Sequence, residues 1–479
     1  MQQYRPLNEF RVQDDSWPRH DELLNRDDID EVSFRFTDLD GRWIQFHKRR
    51  SALSSSDLLG GLHFSCSLPG WRGIHASDYL IKPDHSTLFV DGNARKRSGS
   101  YICDVWEPHG LKPYRRDPRW ILKSAIARLN DLIPGATALV GPELEFYLLR
   151  NATYDHSKDK SFLHLQADQI VGDGPIDNRV EYKRSGPSGH LTPEFDSCAR
   201  VRRKIIDNLS KAGISVNRHH HELGPGQNEI SIVHLDALHA ADSVQIYKHV
   251  VRSTAVSESR LATFMPMPFA ATCGSGLHYH LSFCRDEKNL FATGDRSPRL
   301  SDIGMFAIGG ILKHARALSC FLNPTVNSYR RLYHAFGANR SLSYGHLNRR
   351  TILRIPPATS AQGRRIEVRF GDATSNPYLA IASLVMAMLD GIEKRINPGP
   401  PVVGRLPKRA MDTSERADSQ LAFDLREAIQ ALDEDRAFLT IGNVFFDSLI
   451  NSHLTRLAKR VDESMKYPHP LEFAECFEN

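Results

Sequence analysis

The chain has 479 residues, and its 62 lysines and arginines nearly balance its 57 aspartates and glutamates, leaving a formal net charge of +5. So small a charge does not indicate nucleic-acid binding, and the sequence has no zinc-finger, helix-turn-helix or RNP motif. The N-terminal stretch 1–15 is too polar for a signal peptide, and the longest apolar run is 378–389. That run is shorter than the roughly 20 residues that cross a bilayer. We therefore expect a cytoplasmic protein with no nucleic-acid and no membrane partner.

The first part of the chain is predicted to form a small β domain. Apolar and polar residues alternate over 30–47, with an Asp-Gly pair in the middle that is typical of a hairpin turn. Further strand-like runs follow at 79–82, 87–90 and 101–105. The polar, proline-containing stretch 108–118 predicts a linker. We therefore predict an N-terminal domain at 1–115 and a second, larger domain at 116–479.

The second part of the chain combines helical and strand-like patterns. Helical periodicity covers 119–132, 198–212 and 240–256, and short strand-like runs lie between these segments. The apolar run at 378–389 is interpreted as a buried helix. The whole chain is therefore predicted to be an α+β protein.

Charged and imidazole side chains recur at every second position of several predicted strands, so that they share one face of each strand. These residues are Glu143 and Glu145 in 141–149, His278 and His280 in 276–283, and Arg365, Glu367 and Arg369 in 364–370. One such strand would be typical of a solvated sheet face. Several together, with Glu222 and Glu229 in 219–230, indicate a functional site.

Converging carboxylates need a counter-charge, because unpaired buried charges are costly. Oxygen-rich ligands with at most one imidazole favour Mg²⁺ or Mn²⁺ over Zn²⁺. Arginine side chains nearby would then meet phosphate oxygens and a substrate carboxylate through their bidentate fork. The arginines considered for this role are Arg331, Arg349, Arg354, Arg365 and Arg369. The pattern is typical of a site that stabilises phosphoryl transfer.

The more common nucleotide and hydrolase motifs are absent from the sequence. It has no G-x-x-x-x-G-K-[ST] loop and no G-x-G-x-x-G after a strand. It also has no G-x-S-x-G elbow and no H-E-x-x-H frame. A nucleotide would therefore be bound by other means, and hydrolase interpretations have no support.

A series of motifs runs in order over most of the chain: FTDLDG (36–41), GWRGIHASDYLIKPD (70–84), GPELEFYL (141–148), HHHELGPGQNEI (219–230), ATFMPMPF (262–269), GSGLHYHLSF (274–283), NPTVNSYRRL (323–332), NRRTILRIP (348–356), RRIEVRFGDATSNPYLA (364–380) and HPLEF (469–473). Taken together, these motifs resemble those of glutamine synthetases of the bacterial type I class. The resemblance implies a β-grasp-like N-terminal domain and a catalytic domain shaped as a partial α/β barrel. It also implies a homo-oligomer, a dodecamer of two hexameric rings, with each active site shared between neighbouring subunits.

The resemblance also implies roles for individual residues, with ATP as co-substrate and two Mg²⁺ or Mn²⁺ ions per site. One metal would be held by Glu145, Glu222 and Glu229, and the other by Glu143, His278 and Glu367. The substrate glutamate would be held by Arg331, Arg369 and the backbone at Gly274. The nucleotide site would include His280, Ser282, Arg354 and Arg365. Arg349 would stabilise the phosphorylated intermediate, and Arg331, Arg349 and Arg369 are the expected catalytic arginines.

Two departures from the family pattern fall in the ammonia half of the site. The family has a glutamate that takes a proton from ammonium, and here Gly337 stands at that position. The family aspartate that reaches across the subunit boundary to bind ammonium is replaced by Ser65. We therefore expect a ligase that activates glutamate as γ-glutamyl phosphate and transfers it to an organic amine.

Two alternatives remain at this stage. The protein could be a glutamine synthetase in the strict sense that binds ammonium by other groups. It could instead be a non-catalytic family member with a structural or binding role. The complete metal triads argue against the second alternative, because converging carboxylates reduce stability when no metal balances them.

Overall fold

The computed structural model describes residues 29–91, 98–110, 112–157, 160–167, 189–270, 272–294, 299–336, 340–404, 419–467, 469 and 472. The predicted site residue Gly337 lies outside these described residues. The strands are β1 Glu31–Thr37, β2 Trp43–Arg49, β3 Leu62–Ser65, β4 Asp78–Pro83, β5 Phe89–Asp91, β6 Ser98–Trp106, β7 Thr137–Leu149, β8 Asn151–Asp155, β9 Phe162–Gln166, β10 Val216–His221, β11 Gln227–Ile232, β12 Leu235–Asp236, β13 Leu261–Thr263, β14 Leu277–Arg285, β15 Lys288–Asn289, β16 Tyr344–His346, β17 Leu353–Ile355 and β18 Ile366–Val368. The α-helices are α1 Ser55–Gly60, α2 Pro118–Leu132, α3 Ala199–Lys211, α4 Ala237–Ser257, α5 Asp302–Leu322, α6 Val326–Phe336, α7 Pro377–Glu393, α8 Leu425–Glu434, α9 Ala437–Thr440 and α10 Asp447–Met465.

The N-terminal part forms a mixed sheet in the order β2-β1-β6-β4-β3, with β5 also paired to β6. The predicted hairpin is confirmed, because β1 and β2 pair in antiparallel register. Gly41 has a φ of +80° in its turn, a conformation that favours glycine. Inward-facing side chains of the hairpin and of β6 form an aromatic core, in which the rings of Phe34 and Tyr101 lie 6.1 Å apart.

The second part is built on a ten-stranded sheet whose main path runs β10-β11-β7-β14-β18-β17-β16. Neighbouring strands along this path are antiparallel except for β16 and β17, which are parallel. Helix α4 packs against the central strand β7, and α7 packs against α2, α4 and α5. A largely antiparallel sheet with helices packed against it is the arrangement of an α+β fold. The predicted boundary at residue 115 lies between the two sheets and stays a prediction.

Helix α7 confirms the interpretation of the apolar run as a buried helix, because every residue from Pro377 to Gly391 is buried. It begins with Pro377 after Asn376, whose side chain accepts the backbone N–H of Tyr378. Among the described residues, α5 is long and apolar enough to cross a membrane, but 78% of its apolar window is buried inside the protein. Burial of that extent is typical of a core helix.

A buried arginine joins the two parts of the molecule. Arg119, at the start of α2, is 2% exposed. Its guanidinium donates to Asp104 Oδ1 at 2.6 Å, Asp84 Oδ2 at 2.7 Å and Asp242 Oδ2 at 2.9 Å. Asp84 and Asp104 belong to the N-terminal part, whereas Asp242 lies on α4 behind the second sheet. The N-terminal part is therefore fixed to the second part through a charged network.

Candidate functional site

Strand register brings the predicted carboxylates and imidazoles onto one face of the large sheet. Glu145 on β7 is paired with Glu229 on β11, and Glu143 is paired with His278 on β14. His280, two residues further along β14, is paired with Glu367 on β18. Paired residues on antiparallel strands project to the same side of a sheet. The groups that alternation places on one face of each strand therefore converge on a single surface.

One end of this surface holds a cluster around Glu143. Potential ligand atoms of Glu143, His280 and Glu367 all lie within 4.8 Å of one another. His280 Nε2 is 3.1 Å from Glu143 Oε1, and His278 Nδ1 is 3.7 Å from Glu143 Oε2 and 3.9 Å from Glu367 Oε1. The structure thus brings the predicted triad of Glu143, His278 and Glu367 together, with His280 closer still.

The electrostatics of this cluster favour ionised carboxylates. Burial opposes ionisation, but the nearby His280 and His278 hold the pKa of Glu143 well below its usual range. Burial also opposes ionisation of Glu367, yet His280, Arg369, His278 and Arg354 lower its pKa to about 2. Ionised, partly buried carboxylates with imidazole neighbours form a donor set suited to a hard or borderline divalent cation.

A second cluster lies at the β10–β11 end of the surface. Potential ligand atoms of His220, Glu222 and Glu229 lie within 4.8 Å of one another. His220 Nδ1 is 3.4 Å from Glu222 Oε2, and its Nε2 is 3.4 Å from Glu229 Oε1. The third predicted member, Glu145, accepts the backbone N–H of Gly276 at 2.9 Å and the Gln227 side chain at 3.3 Å. Glu145 is therefore adjacent to this cluster but is engaged with the loop before β14.

Repulsion among these carboxylates shows why a cation would fit here. Burial, together with the negative charges of Glu145 and Glu229, raises the pKa of Glu222 to about 7. A divalent ion bound among them would supply the missing positive charge. The donor chemistry of both clusters therefore fits Mg²⁺ or Mn²⁺.

Arg331 lies beside the carboxylate surface against a glycine-containing loop. The side chain is buried, and its Nη1 and Nη2 atoms each donate at 3.1 Å, to the carbonyls of Phe370 and Arg369 respectively. A Cβ at Gly274 would lie 2.7 Å from Arg331 Cγ, and a Cβ at Gly276 would lie 2.5 Å from Arg331 Nη2. A side chain at Gly276 would displace the guanidinium, and one at Gly274 would meet both the Arg331 stem and the carbonyl oxygen of Pro266, so glycine at both positions leaves room for Arg331 in this orientation.

Other predicted arginines surround Glu367 and His280. Arg354 Nη1 donates to Glu367 Oε2 at 2.7 Å, and Arg369 also contacts the Glu367 carboxylate. Arg365 Nε donates to His280 Nδ1 at 3.0 Å, which leaves Nε2 of that imidazole facing Glu143. Ser282 follows on the same face of β14 and is buried.

Arg349 lies apart from this group. It is exposed on the segment that follows β16, and its charge helps to lower the pKa of His190, although burial and His220 lower that pKa more. The imidazole of His190 packs over His220 with their centroids 4.1 Å apart. Arg349 therefore lies near the His220 cluster, at the rim of the site.

The predicted amine position contains a carboxylate that the sequence reasoning did not identify. Ser65 ends β3 and is paired with Asp78 at the start of β4. The Ser65 hydroxyl donates to the Asp78 carboxylate. A carboxylate therefore lies on the neighbouring strand, directly beside the predicted amine position at Ser65.

Sequence reasoning also missed His220 and Arg218 on β10. Both project to the carboxylate face, because His220 is paired with Glu229 and Arg218 with Ser231. The sequence did contain a signal for them, because Arg218, His220 and Glu222 occupy every second position and so share one face of a strand.

Comparison with known proteins agrees with this geometry. A family model described as "Glutamine synthetase, catalytic domain" matches residues 115–476, and one described as "Glutamine synthetase, beta-Grasp domain" matches residues 28–108. The chain is 36% identical to glutamine synthetases of Vibrio alginolyticus and Escherichia coli over 456 and 465 residues, covering 94% of this chain and 97% of each relative.

Solved structures show the same similarity. A Plasmodium falciparum glutamine synthetase superposes with a TM-score of 0.85 at 26% identity, covering 95% of this chain and 97% of that one. A structure described as "GmaS/ADP complex-Conformation 1" superposes with a TM-score of 0.76 at 26% identity, covering 96% and 99% of the two chains. The β-grasp and catalytic domains, the carboxylate surface and these relatives together show that the chain belongs to the glutamine synthetase family of ATP-dependent, divalent-metal-using ligases.

Proposed function

We propose that the chain phosphorylates the γ-carboxylate of glutamate with ATP and transfers the γ-glutamyl group to an organic amine. The replacement of the family's ammonium-binding aspartate by Ser65 carries the amine part of this proposal. The carboxylate surface and its arginines support the activation part, because they provide the ligands for two cations and positive charge for a polyphosphate.

In this proposal, Glu145, Glu222 and Glu229 hold one metal, and Glu143, His278 and Glu367 hold the second. Bound Mg²⁺ or Mn²⁺ would neutralise negative charge on the phosphates and polarise the transferring phosphoryl group. The ionised state of Glu367, held by neighbouring cations, keeps it ready to ligate. Its contacts with Arg354 and Arg369 fix the orientation of the carboxylate.

The remaining residues are proposed to hold the organic substrates. Arg331, locked against the backbone, and Arg369 would clamp the glutamate carboxylate beside Gly274. Arg349 at the rim would stabilise the acyl phosphate. The nucleotide would be held by His280, Ser282, Arg354 and Arg365.

The amine part follows from the chemistry of ammonium. Ammonium cannot attack until it loses a proton, so its use requires nearby negative charge and a base. Ser65 replaces the aspartate that supplies the negative charge in the family, and Gly337 replaces the glutamate that supplies the base. A neutral or aromatic amine, which arrives unprotonated, needs neither, so we rank such amines above polyamines.

Strict glutamine synthetase activity is the second candidate. It is favoured by the name "Glutamine synthetase" of relatives 36% identical to this chain. It is also favoured by Asp78, whose carboxylate lies against Ser65. A non-catalytic role has no comparable observation in its favour.

A substrate screen separates the two candidates. Purified protein would be incubated with ATP, Mg²⁺ and glutamate, with ammonia or one member of an amine panel, and phosphate release and product mass would be measured. The proposal expects a γ-glutamyl amide of an organic amine as the main product. Glutamine formed from ammonia faster than any amide would establish the second candidate instead.

We also propose a dodecamer of two hexameric rings acting in the cytoplasm. Ser65 lies in the N-terminal sheet, away from the carboxylate surface of the second sheet. In a ring, that position would face the active site of the neighbouring subunit. Light scattering coupled to size exclusion tests the assembly, and a fully active monomer would contradict it.

A further inference from the structure

Arg218 brings a guanidinium into the carboxylate surface from the edge strand β10. The pairing of β10 with β11 is irregular between Val216 and Arg218, which marks a β-bulge. Bulges next to active sites often redirect a side chain. Beyond the irregularity, Arg218 is paired with Ser231, and Ser231 is in turn paired with Glu143 on β7. Arg218 therefore lies on the same face as the proposed metal ligands.

The guanidinium lies between the two proposed metal sites. Arg218 Nη2 is 3.6 Å from Glu143 Oε1 and 3.9 Å from Glu229 Oε1. Glu143 belongs to one proposed triad and Glu229 to the other. The Arg218 side chain is 54% exposed, whereas those of Glu143 and Glu229 are 16% and 11% exposed. The two carboxylates are thus largely buried, whereas about half of the arginine side chain is open to solvent.

A guanidinium and a divalent cation cannot both be fully accommodated at these carboxylates. Both are positively charged, and their repulsion in a partly buried site is screened far less than in water. Entry of a metal at either triad therefore weakens the hold of Glu143 and Glu229 on Arg218. A half-exposed arginine released in this way stays on the same face as His280 and Arg354, which are proposed to bind the nucleotide.

A released guanidinium would find its best partner in phosphate. Arginine presents a planar fork that pairs bidentately with phosphate oxygens, and charge-assisted bonds of this kind are among the strongest in proteins. Neutralising Glu143 and Glu229 before metal enters and binding phosphate afterwards would then be two successive roles of the Arg218 side chain.

We propose that Arg218 competes with divalent metal for Glu143 and Glu229, and that it binds the polyphosphate of ATP once metal has entered. This inference rests on the proposed function, because it assumes that the clusters bind metal and that the site binds ATP. Arg218 would therefore weaken the binding of divalent metal and strengthen the binding of ATP at the same site.

The test compares Arg218→Ala with the wild-type protein in two binding measurements. Without nucleotide, the dissociation constant for Mn²⁺, read from the electron paramagnetic resonance signal of free Mn²⁺, is expected to fall about fivefold as the competing cation is lost. At saturating Mg²⁺, the dissociation constant for the ATP analogue AMP-PNP, measured by calorimetry, is expected to rise about tenfold. The proposal requires the two dissociation constants to change in opposite directions, because a general loss of structure would weaken the binding of both ligands.

Two further variants make the test specific. Arg218→Lys keeps the charge but loses the fork, so its Mn²⁺ affinity should stay near wild type while its AMP-PNP affinity falls. Arg200→Ala is the control. It removes an exposed arginine that pairs with Glu258 and belongs to neither proposed triad, so it should change neither dissociation constant. If wild-type protein binds Mn²⁺ and AMP-PNP but Arg218→Ala leaves either constant unchanged, the inference is overturned. If wild-type protein binds neither ligand, the proposed function itself fails.

Discussion

The buried Arg119 network offers the sharpest prediction about stability. Arg119→Met keeps most of the side-chain volume but removes the cation that Asp84, Asp104 and Asp242 share. Asp242 is 5% exposed, so it would become an uncompensated buried charge, whereas Asp84 and Asp104 are 23% and 18% exposed and would be partly solvated. Breaking one buried pair costs about 3–5 kcal/mol, and partly exposed pairs add less than about 1 kcal/mol each. We therefore expect the free energy of unfolding to fall by about 3–7 kcal/mol in total.

A double variant tests the cause of that loss. Asp242→Asn removes the stranded charge while keeping an oxygen that can accept from Tyr378, whose hydroxyl donates to Asp242 Oδ1 at 2.6 Å. Chemical denaturation followed by circular dichroism should show Arg119→Met/Asp242→Asn to be more stable than Arg119→Met alone. If Arg119→Met loses less than about 1 kcal/mol, the view that this arginine joins the two parts of the molecule is refuted.

Further predictions concern the site and the pH dependence of stability. Glu367→Ala should abolish ATP turnover, because a ligand of the proposed second metal is lost; a loss of less than tenfold would count against that assignment. Gly276→Ala should raise the KM for glutamate about tenfold or more by displacing Arg331, whose charge-assisted bonds are worth about 1.5–3 kcal/mol; an unchanged KM would mean that Arg331 does not bind glutamate. Burial opposes ionisation of Asp84, but Arg119 and its neighbours lower its pKa to about 2. This pairing stabilises the fold above about pH 4, and the stabilisation is lost as pH falls towards 2. The stability of Arg119→Met should therefore fall less over this pH range than that of the wild-type protein, as measured by acid titration. Ser65→Asp should raise ammonia-dependent turnover relative to amine-dependent turnover in the same assay; an unchanged ratio would remove the main support for an organic amine.

The strand faces could be predicted because side chains alternate with a period of two residues. Glu143 with Glu145, and His278 with His280, share the predicted faces, and register places them on a common surface. Register itself could not be predicted from local sequence, since β7 and β11 are about eighty residues apart in the chain and their pairing depends on packing of the whole sheet.

The residues that were missed lie where strand register or irregular backbone decides which side chains come together. His220 joins the Glu229 cluster only because β10 pairs with β11, and the bulge before Arg218 has no clear sequence signal. Asp78 reaches Ser65 across the pairing of β3 with β4, which are connected by an irregular segment. Alternation also could not tell whether His278 or His280 lies closer to Glu143, because that depends on side-chain conformation rather than on strand face.

The choice of nucleophile is the central claim, and a direct competition tests it. Protein, ATP, Mg²⁺ and glutamate would be mixed with equal concentrations of ¹⁵N-labelled ammonia and the best amine from the panel, and both products would be quantified by mass spectrometry. The ratio of products gives the ratio of kcat/KM values for the two nucleophiles. We predict that the γ-glutamyl amide exceeds labelled glutamine at least tenfold. An excess of labelled glutamine would contradict the account and identify ammonia as the substrate.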